Sequence, residues 1–347
     1  MKTLQPPALL ERYRTAIEQS VRLFMESKPD GLYAMLRYHF GWMEQDGRPA
    51  THPPGKAIRP TLCLLACEAV GGQWERALPA AAALELIHNF SLIHDDIQDG
   101  DQQRHHRPTV WAVWGQPQAI NAGDAAFALS GVAVERLREQ GYPVETVLTV
   151  WQWLNAATLR LVEGQYLDLS FEQRMDVTVD EYLAMIARKT GALIETAAQI
   201  GALLGGASEP LMNHLRWYGR ALGLAFQIGD DLLGIWGASA ETGKPVAADL
   251  RRRKKSLPIV YAFQHSAPED RALLTALYQG RDTEPLDDSD VAAALGVLER
   301  TRAEDKARGL LADHCARAML ELERAHLEPW ARAEFAEFAR FLAERRY

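Results

Sequence analysis

Apolar residues in this chain recur at spacings of three and four and seldom at two, a period that leaves little besides α-helix open to it. Leu9, Leu10, Tyr13, Ile17, Val21 and Phe24 show the pattern, which continues from about residue 8 to 45. Alternating, β-branched runs are scarce, and a hydrophobic fraction of 48%, rich in Ala and Leu, suits helices packed on helices. Gly, Pro and polar residues break the pattern at 45–60, 71–72, 100–108, 115–118, 141–143, 205–210, 237–258 and 280–290. These breaks separate roughly ten or more helices. No solenoid-type repeat and no low-complexity linker divides the sequence, so one all-α domain over 1–347 is expected, a helical bundle.

Several classes of protein are excluded early. A net charge of −8 argues against nucleic acid as a partner. Three cysteines are too few and too oddly numbered for a disulfide framework, and Cys63 and Cys67, spaced i, i+4 in an apolar stretch, are expected to be small core residues. The N-terminus lacks a charged-then-apolar leader pattern, and no run approaches about 18 apolar residues. A soluble, cytoplasmic protein with no membrane span is expected.

Two acidic clusters then stand out against the apolar helices. The first is His94-Asp95-Asp96-Ile97-Gln98-Asp99 and the second Gly229-Asp230-Asp231-Leu232-Leu233-Gly234, each after an apolar helical stretch. In a helix Asp95 and Asp99 project from one face, one turn apart. Acids at a helix C-terminus oppose the macrodipole, and crowded carboxylates at the end of an apolar stripe repel one another, so a cation is needed among them. All-oxygen ligands that leave room for phosphate favour Mg²⁺. Behind Asp99 and Asp95 the same stripe runs through Ser91 and His88 to Leu84, becoming progressively apolar, as the wall of a tunnel with an ionic mouth would.

Cations lie near both clusters in sequence. Lys56 and Arg59 sit in Gly55-Lys56-Ala57-Ile58-Arg59-Pro60 ahead of a helix, and Arg104-His105-His106-Arg107-Pro108-Thr109 follows the first acids. Lys189-Thr190-Gly191 is expected to open a helix, where a Lys or hydroxyl suits a phosphate. The long polar segment 237–258 carries Lys244 and the run Arg251-Arg252-Arg253-Lys254-Lys255, at least one of which is expected to meet phosphate.

The order GKAIRP, ELIHNFSLIHDDIQD, RHHRPTVW, KTG, FQIGDDLLGIWG, TGK and DLRRRKKSLP resembles the trans-isoprenyl diphosphate synthases, nearest to bacterial geranylgeranyl and related polyprenyl diphosphate synthases, over about residues 20 to 330. The resemblance implies a usually homodimeric all-α fold around a deep cavity. It implies head-to-tail joining of isopentenyl diphosphate to an allylic diphosphate (dimethylallyl, geranyl or farnesyl) with several Mg²⁺ ions. By the same resemblance Asp95, Asp99 and Asp230 ligate Mg²⁺, with Asp96 and Asp231 supporting. Arg104, Lys189, Thr190, Gln227, Lys244 and Lys254 hold the allylic diphosphate, and Lys56, Arg59, His88 and the position of His105 serve isopentenyl diphosphate. Asp249 assists through a water or by fixing Lys254. Phe90 and Ser91, five and four residues before Asp95, occupy the positions that set chain length; one ring beside one small residue implies a C20 product, with C15 next.

Two positions depart from the family pattern. Gly234 stands where many relatives carry a third Asp, and His105 where they usually carry an Arg; histidine lacks guanidinium's permanent charge and fork, which predicts weaker isopentenyl diphosphate binding that improves toward mildly acidic pH. Asn121, Asp124, Glu163, Gln165 and Asp168 are expected to hydrogen-bond between helices, and Trp111, Trp114 and Trp236 to serve core or interface. Three other readings stay open: a class I terpene cyclase, a metal-dependent phosphohydrolase built on His94-Asp95, His88 and His105, and a non-catalytic partner subunit of a prenyl synthase.

Overall fold

The computed structural model describes residues 8–52, 55–237, 247–279 and 285–343. Sixteen α-helices account for nearly all regular structure among the described residues, and one two-stranded hairpin is the only sheet. In chain order the helices are α1 Ala8–Arg22, α2 Leu32–His39, α3 Ile58–Ala69, α4 Leu78–Gln98, α5 Val110–Trp114, α6 Gln116–Glu135, α7 Val144–Glu172 and α8 Val179–Ile186. There follow α9 Ala192–Leu204, α10 Glu209–Trp236, α11 Ala248–Arg251, α12 Leu257–His265, α13 Pro268–Tyr278, α14 Asp288–Arg300, α15 Ala303–Arg324 and α16 Pro329–Ala343. Strands β1 (Gln103–Arg104) and β2 (Arg107–Pro108) pair antiparallel.

The chain groups into two compact units, whose boundaries fall inside α7, α9 and α10. One unit comprises 8–156 and 196–212, and its centre is α4, packed on α1, α3 and α6. Ala80, Ala81, Ala82, Ala83 and Leu84 are wholly buried there, because methyl side chains let three neighbours approach one helix closely. The apolar stripe of α1 behaves as its period predicts, with Leu9, Leu10, Tyr13, Ile17 and Val21 all buried. Cys63 and Cys67 are buried free thiols, the core role expected for them.

The other unit takes in 157–195 and residues from 213 onward. Here α12 packs on α8, α14 and α15, and α15 on α16. Tyr218 of α10 meets Phe335 of α16 edge-on at 5.1 Å and donates its hydroxyl to the Phe335 carbonyl at 2.8 Å. Helix α8 starts at a complete capping box: Thr178 Oγ1 accepts from the Glu181 amide, and Glu181 accepts from the Thr178 amide. Among the described residues no helix is long and apolar enough to cross a membrane.

Candidate active site

In the first unit the last turns of α4 carry the first acid set. Asp95 is half-buried and Asp99 exposed at the C-cap, where its amide donates to the Asp95 carbonyl at 2.8 Å. Asp96 points elsewhere. It is 2% exposed, and its Oδ1 takes both the Nε of Arg104 at 2.8 Å and the Nη2 at 2.7 Å. Burial pushes the Asp96 carboxyl up and Arg104 pulls it back down. Arg104, expected at the allylic diphosphate, therefore has a partner of its own on the same helix end.

The segment after the acids is a tight hairpin. His105 and His106 both have positive φ, 51° and 61°, the geometry of a two-residue I′ turn that more often carries Asn-Gly. Arg107 anchors it, donating to the carbonyls of Tyr38 at 2.9 Å and Met43 at 3.0 Å. Trp111 and Thr109 both donate to the Asp101 carbonyl at 2.9 Å, so Trp111 has the structural role expected for it. Of this motif Arg104 reaches the acids, through Asp96, and His105 is exposed.

Arg59 lies in the first turn of α3, 9% exposed, and Lys56 just ahead of the left-handed Ala57. His88 stands on α4, and burial together with the charges of Arg59 and Arg104 keeps it neutral, with a pKa well below the ordinary value. Burial first, and the Arg104 charge next, push His39 down to about 3. No sequence signal pointed to His39 beyond a lone histidine at the end of a short helix. Phe90 packs edge-on to His94 at 5.1 Å and against Phe127 of α6 at 5.4 Å, and Ser91 is buried with its hydroxyl on the His88 carbonyl at 2.7 Å. Asn121, Asp124 and Glu163 are exposed rather than buried between helices, although Asp124 lies 3.7 Å from His94 Nε2 of α4 and Glu163 3.8 Å from Arg188. His94 turns its Nε2 to α6, 3.3 Å from the Ile120 carbonyl and 3.7 Å from Asp124 Oδ1.

In the second unit α10 presents Asp230 half-buried and Asp231 wholly buried. Asp231 Oδ2 accepts from the Tyr182 hydroxyl at 2.5 Å and from the Leu257 amide at 3.1 Å, the latter in the first turn of α12, where a carboxylate is favoured. Its Oδ1 accepts from Gln227 Nε2 at 3.3 Å and lies 4.0 Å from Lys254 Nζ. Burial nevertheless pushes its pKa up to about 6. Gln227 in turn accepts from Thr190 Oγ1 at 2.7 Å, and Lys189 Nζ sits 2.6 Å from Asp168 Oδ2. Thr190, Gln227, Asp231 and Lys254 thus form one linked set. Tyr182, which carried no motif, completes it.

Lys189 and Thr190 do not open a helix. They occupy a π-turn, Ala187–Gly191, that joins α8 to α9, a form that clusters at functional sites and has no sequence period of its own. A Cβ on Gly164 of α7 would lie 2.2 Å from the Lys189 amide nitrogen, so only glycine lets α7 pass this turn. Gly234 is explained in the same way: its Cβ would lie 2.2 Å from Asp249 Oδ2, so the Asp249 carboxylate occupies the space of the absent third aspartate side chain.

The basic run separates into distinct tasks. Arg251 pairs with Asp288 at 2.5 Å, Arg253 donates to the Leu277 carbonyl at 2.8 Å, and Lys255 donates to the carbonyls of Phe171, Glu172 and Arg174 at the end of α7. Lys254 turns to the acids, 3.6 Å from Asp249 Oδ2, and the carboxylates of Asp249, Asp231, Asp168 and Asp230 outweigh lost hydration to hold its ammonium charged. Lys244 lies outside the described residues.

The donor chemistry fits Mg²⁺. Among the described residues no three His, Cys, Asp or Glu side chains converge into a protein-only metal cage. Each acid set offers one or two carboxylates, the complement of an ion that keeps waters and shares substrate phosphate.

The polyprenyl synthetase family model matches residues 41–296, which contain both acid sets and every motif described above. The chain belongs to the polyprenyl synthetase family. It is 40% identical over 311 residues to the (2E,6E)-farnesyl diphosphate synthase of Mycobacterium tuberculosis (strain ATCC 25618 / H37Rv), covering 90% of this chain and 85% of that one. It is 42% identical over 288 residues to the geranylgeranyl diphosphate synthase of the same organism, covering 83% and 81%. Its structure resembles the crystal structure of a polyprenyl synthetase from Streptomyces coelicolor A3(2) with a TM-score of 0.89 at 39% identity, covering 96% of this chain and 98% of that one. The chain is a prenyltransferase, a trans-isoprenyl diphosphate synthase that extends prenyl chains head to tail.

Proposed function

We propose that this enzyme condenses isopentenyl diphosphate with an allylic diphosphate in the presence of Mg²⁺, and that geranylgeranyl diphosphate (C20) is its main product, with farnesyl diphosphate (C15) next. What supports this reading is three sets of polar residues: Asp95 with Asp99 on α4; Asp230 with Lys254 and its linked partners; and Arg59, whose charge reaches His88, with Lys56 three residues before it in sequence. A cyclase has no use for the third set, since it binds one diphosphate only. An inert partner subunit has no use for the first, which is intact.

Asp95, Asp99 and Asp230 would hold Mg²⁺, which when bound neutralises the allylic diphosphate and makes it a better leaving group. Lys189, Thr190, Gln227, Lys244, Lys254 and Arg104 bind and orient that diphosphate while the allylic C–O bond breaks heterolytically, its electron pair leaving with the diphosphate oxygen. Asp96 fixes Arg104, and Asp231 fixes Gln227 and Lys254. Lys56, Arg59, His88 and His105 hold isopentenyl diphosphate so that its double bond forms the new C–C bond to the allylic cation; a proton then leaves the adjacent carbon to restore an alkene. The departed diphosphate is a competent acceptor of that proton.

We read Phe90, wedged against His94 and Phe127, as the floor of the chain-binding cavity, with Ser91 beside it. Mass spectrometry of products made from each of dimethylallyl, geranyl and farnesyl diphosphate tests the chain length. Termination at C20 that shifts to longer chains in Phe90→Ala supports the floor; C15 products, or an unchanged distribution in the variant, reject it. We also read residues 1–347 as one domain and the enzyme as a homodimer. The dimer reading rests on the apolar residues left exposed on α7, where Leu148, Leu159 and Tyr166 are 53%, 65% and 71% accessible.

A further inference from the structure

Helix α2 ends in two consecutive residues that make long-range hydrogen bonds, and neither belongs to a motif. Tyr38 donates its hydroxyl to the Pro108 carbonyl at 2.9 Å, and its own carbonyl accepts from Arg107, whose guanidinium lies 4.1 Å from the Tyr38 ring centroid. Tyr38 thereby holds the hairpin that presents Arg104 and His105. The next residue reaches the other wall. His39 Nε2 lies 3.0 Å from Asn89 Oδ1, and Asn89 Nδ2 donates to the carbonyl of Glu85 at 2.8 Å and to Glu85 Oε1 at 3.1 Å.

The chemistry of this chain of bonds has one solution. Asn89 gives its amide protons to Glu85, so its oxygen must accept, and His39 must carry its proton on Nε2. Glu85, His88 and Asn89 share one face of α4 at i, i+3 and i+4. Burial pushes the Glu85 carboxyl up, and Asn89 and the Arg59 charge draw it back down. His88 feels the Arg59 and Arg104 charges together. A third cation, guanidinium or ammonium, at position 39 would add to that repulsion. A neutral imidazole supplies a donor without a charge.

We propose that His39 is a positioning residue for isopentenyl diphosphate, acting through Asn89 and Glu85 on the setting of Arg59 and His88. Without a donor at position 39 the buried Asn89 oxygen loses its partner and the amide loses the anchor that fixes its orientation, which loosens the Glu85 carboxylate that Asn89 donates to and that feels the Arg59 charge. The proposal rests on the reading that Arg59 and His88 bind isopentenyl diphosphate.

The test uses the full chain and calorimetric titration with isopentenyl diphosphate alone, alongside steady-state kinetics. His39→Phe, which fills the space without a donor, is expected to raise the Kd and KM for isopentenyl diphosphate about tenfold. The KM for the allylic primer and kcat at saturation should stay within about twofold. His39→Gln, whose amide can donate in place of the ring, should recover most of the affinity. Asn89→Asp, which accepts from His39 but cannot donate to Glu85, should match the loss in His39→Phe and serves if that variant does not fold. Unchanged affinity in His39→Phe and Asn89→Asp, or a parallel loss for both substrates, overturns the proposal. Arg59→Gln measured beside them separates the two levels: if it binds isopentenyl diphosphate like wild type, the reading of the site is wrong. If Arg59→Gln loses affinity and His39→Phe does not, only the positioning role falls.

Discussion

Gly234 is the position at which this chain breaks its own acidic motif, and its replacement by Ala gives a prediction whose size follows from geometry. The added Cβ would lie 2.2 Å from Asp249 Oδ2, 2.4 Å from Cγ and 2.9 Å from Oδ1. Carbon contacts at ordinary separation begin near 3.5 Å, so the carboxylate must retreat by about 1 Å or more. Lys254 Nζ, at 3.6 Å from Asp249 Oδ2 and 4.0 Å from Asp231 Oδ1, loses its nearer counter-charge in that movement. Two effects on stability oppose each other: Ala gains about 1 kcal/mol over Gly inside a helix, and overpacking costs about 1–3 kcal/mol. We expect a net loss of about 1 kcal/mol in unfolding free energy and roughly a tenfold weaker affinity for Mg²⁺-pyrophosphate by calorimetry, because Lys254 is displaced. Gly234→Asp should be no better, although it restores the third acid of the motif. Asp249→Ala, which also removes that counter-charge, should weaken the same affinity, and the double variant Gly234→Ala/Asp249→Ala, free of the clash, should be more stable than Gly234→Ala while binding no more tightly than Asp249→Ala. Strictly additive effects, or a Gly234→Ala enzyme with wild-type stability and affinity, refute the reasoning.

Further outcomes follow from the same geometry. His39 is neutral when folded, with its pKa lowered from the ordinary 6.5 to about 3, so the unfolded chain binds more protons between those values and stability falls as the pH drops through that window. Urea unfolding should show His39→Gln losing part of that acid slope, up to an upper bound of about 5 kcal/mol; an unchanged slope contradicts the burial of His39 as a neutral ring. Tyr182→Phe removes the shorter of the two hydrogen bonds on Asp231 Oδ2 and should destabilise by about 1–3 kcal/mol in thermal unfolding, with a raised KM for the allylic substrate. His105→Arg should lower the KM for isopentenyl diphosphate and flatten its pH dependence; a KM that is already flat with pH and unmoved by the substitution argues against a role for the turn.

The helices and the acid sets were legible because each depends on local period. The stripe of α1 and the Asp95–Asp99 pairing are repeats of 3.6 residues, visible in any window. What stayed hidden depends on contacts far apart in sequence or on backbone forms without a pattern. The π-turn at 187–191 looks like a helix start because Gly191 interrupts the residues around it. The His105-His106 turn lacks the Gly that usually announces its geometry. Charge alone did not separate the five basic residues at 251–255, since Arg251, Arg253 and Lys255 meet partners 24 to 84 residues away while Lys254 faces the acids. Tyr182 and His39, joined to Asp231 and Asn89 across 49 and 50 residues, had no local signature at all.

On the proposed function each new bond joins two diphosphate substrates and releases one diphosphate. Coupled detection of inorganic pyrophosphate tests this, with Mg²⁺ present and the allylic primer and isopentenyl diphosphate added singly and together. Release is expected only when both are present, equal in amount to the isopentenyl diphosphate incorporated, and should be lost in Asp95→Asn and Asp230→Asn. Release from the allylic primer alone, at the rate seen with both substrates, would contradict it.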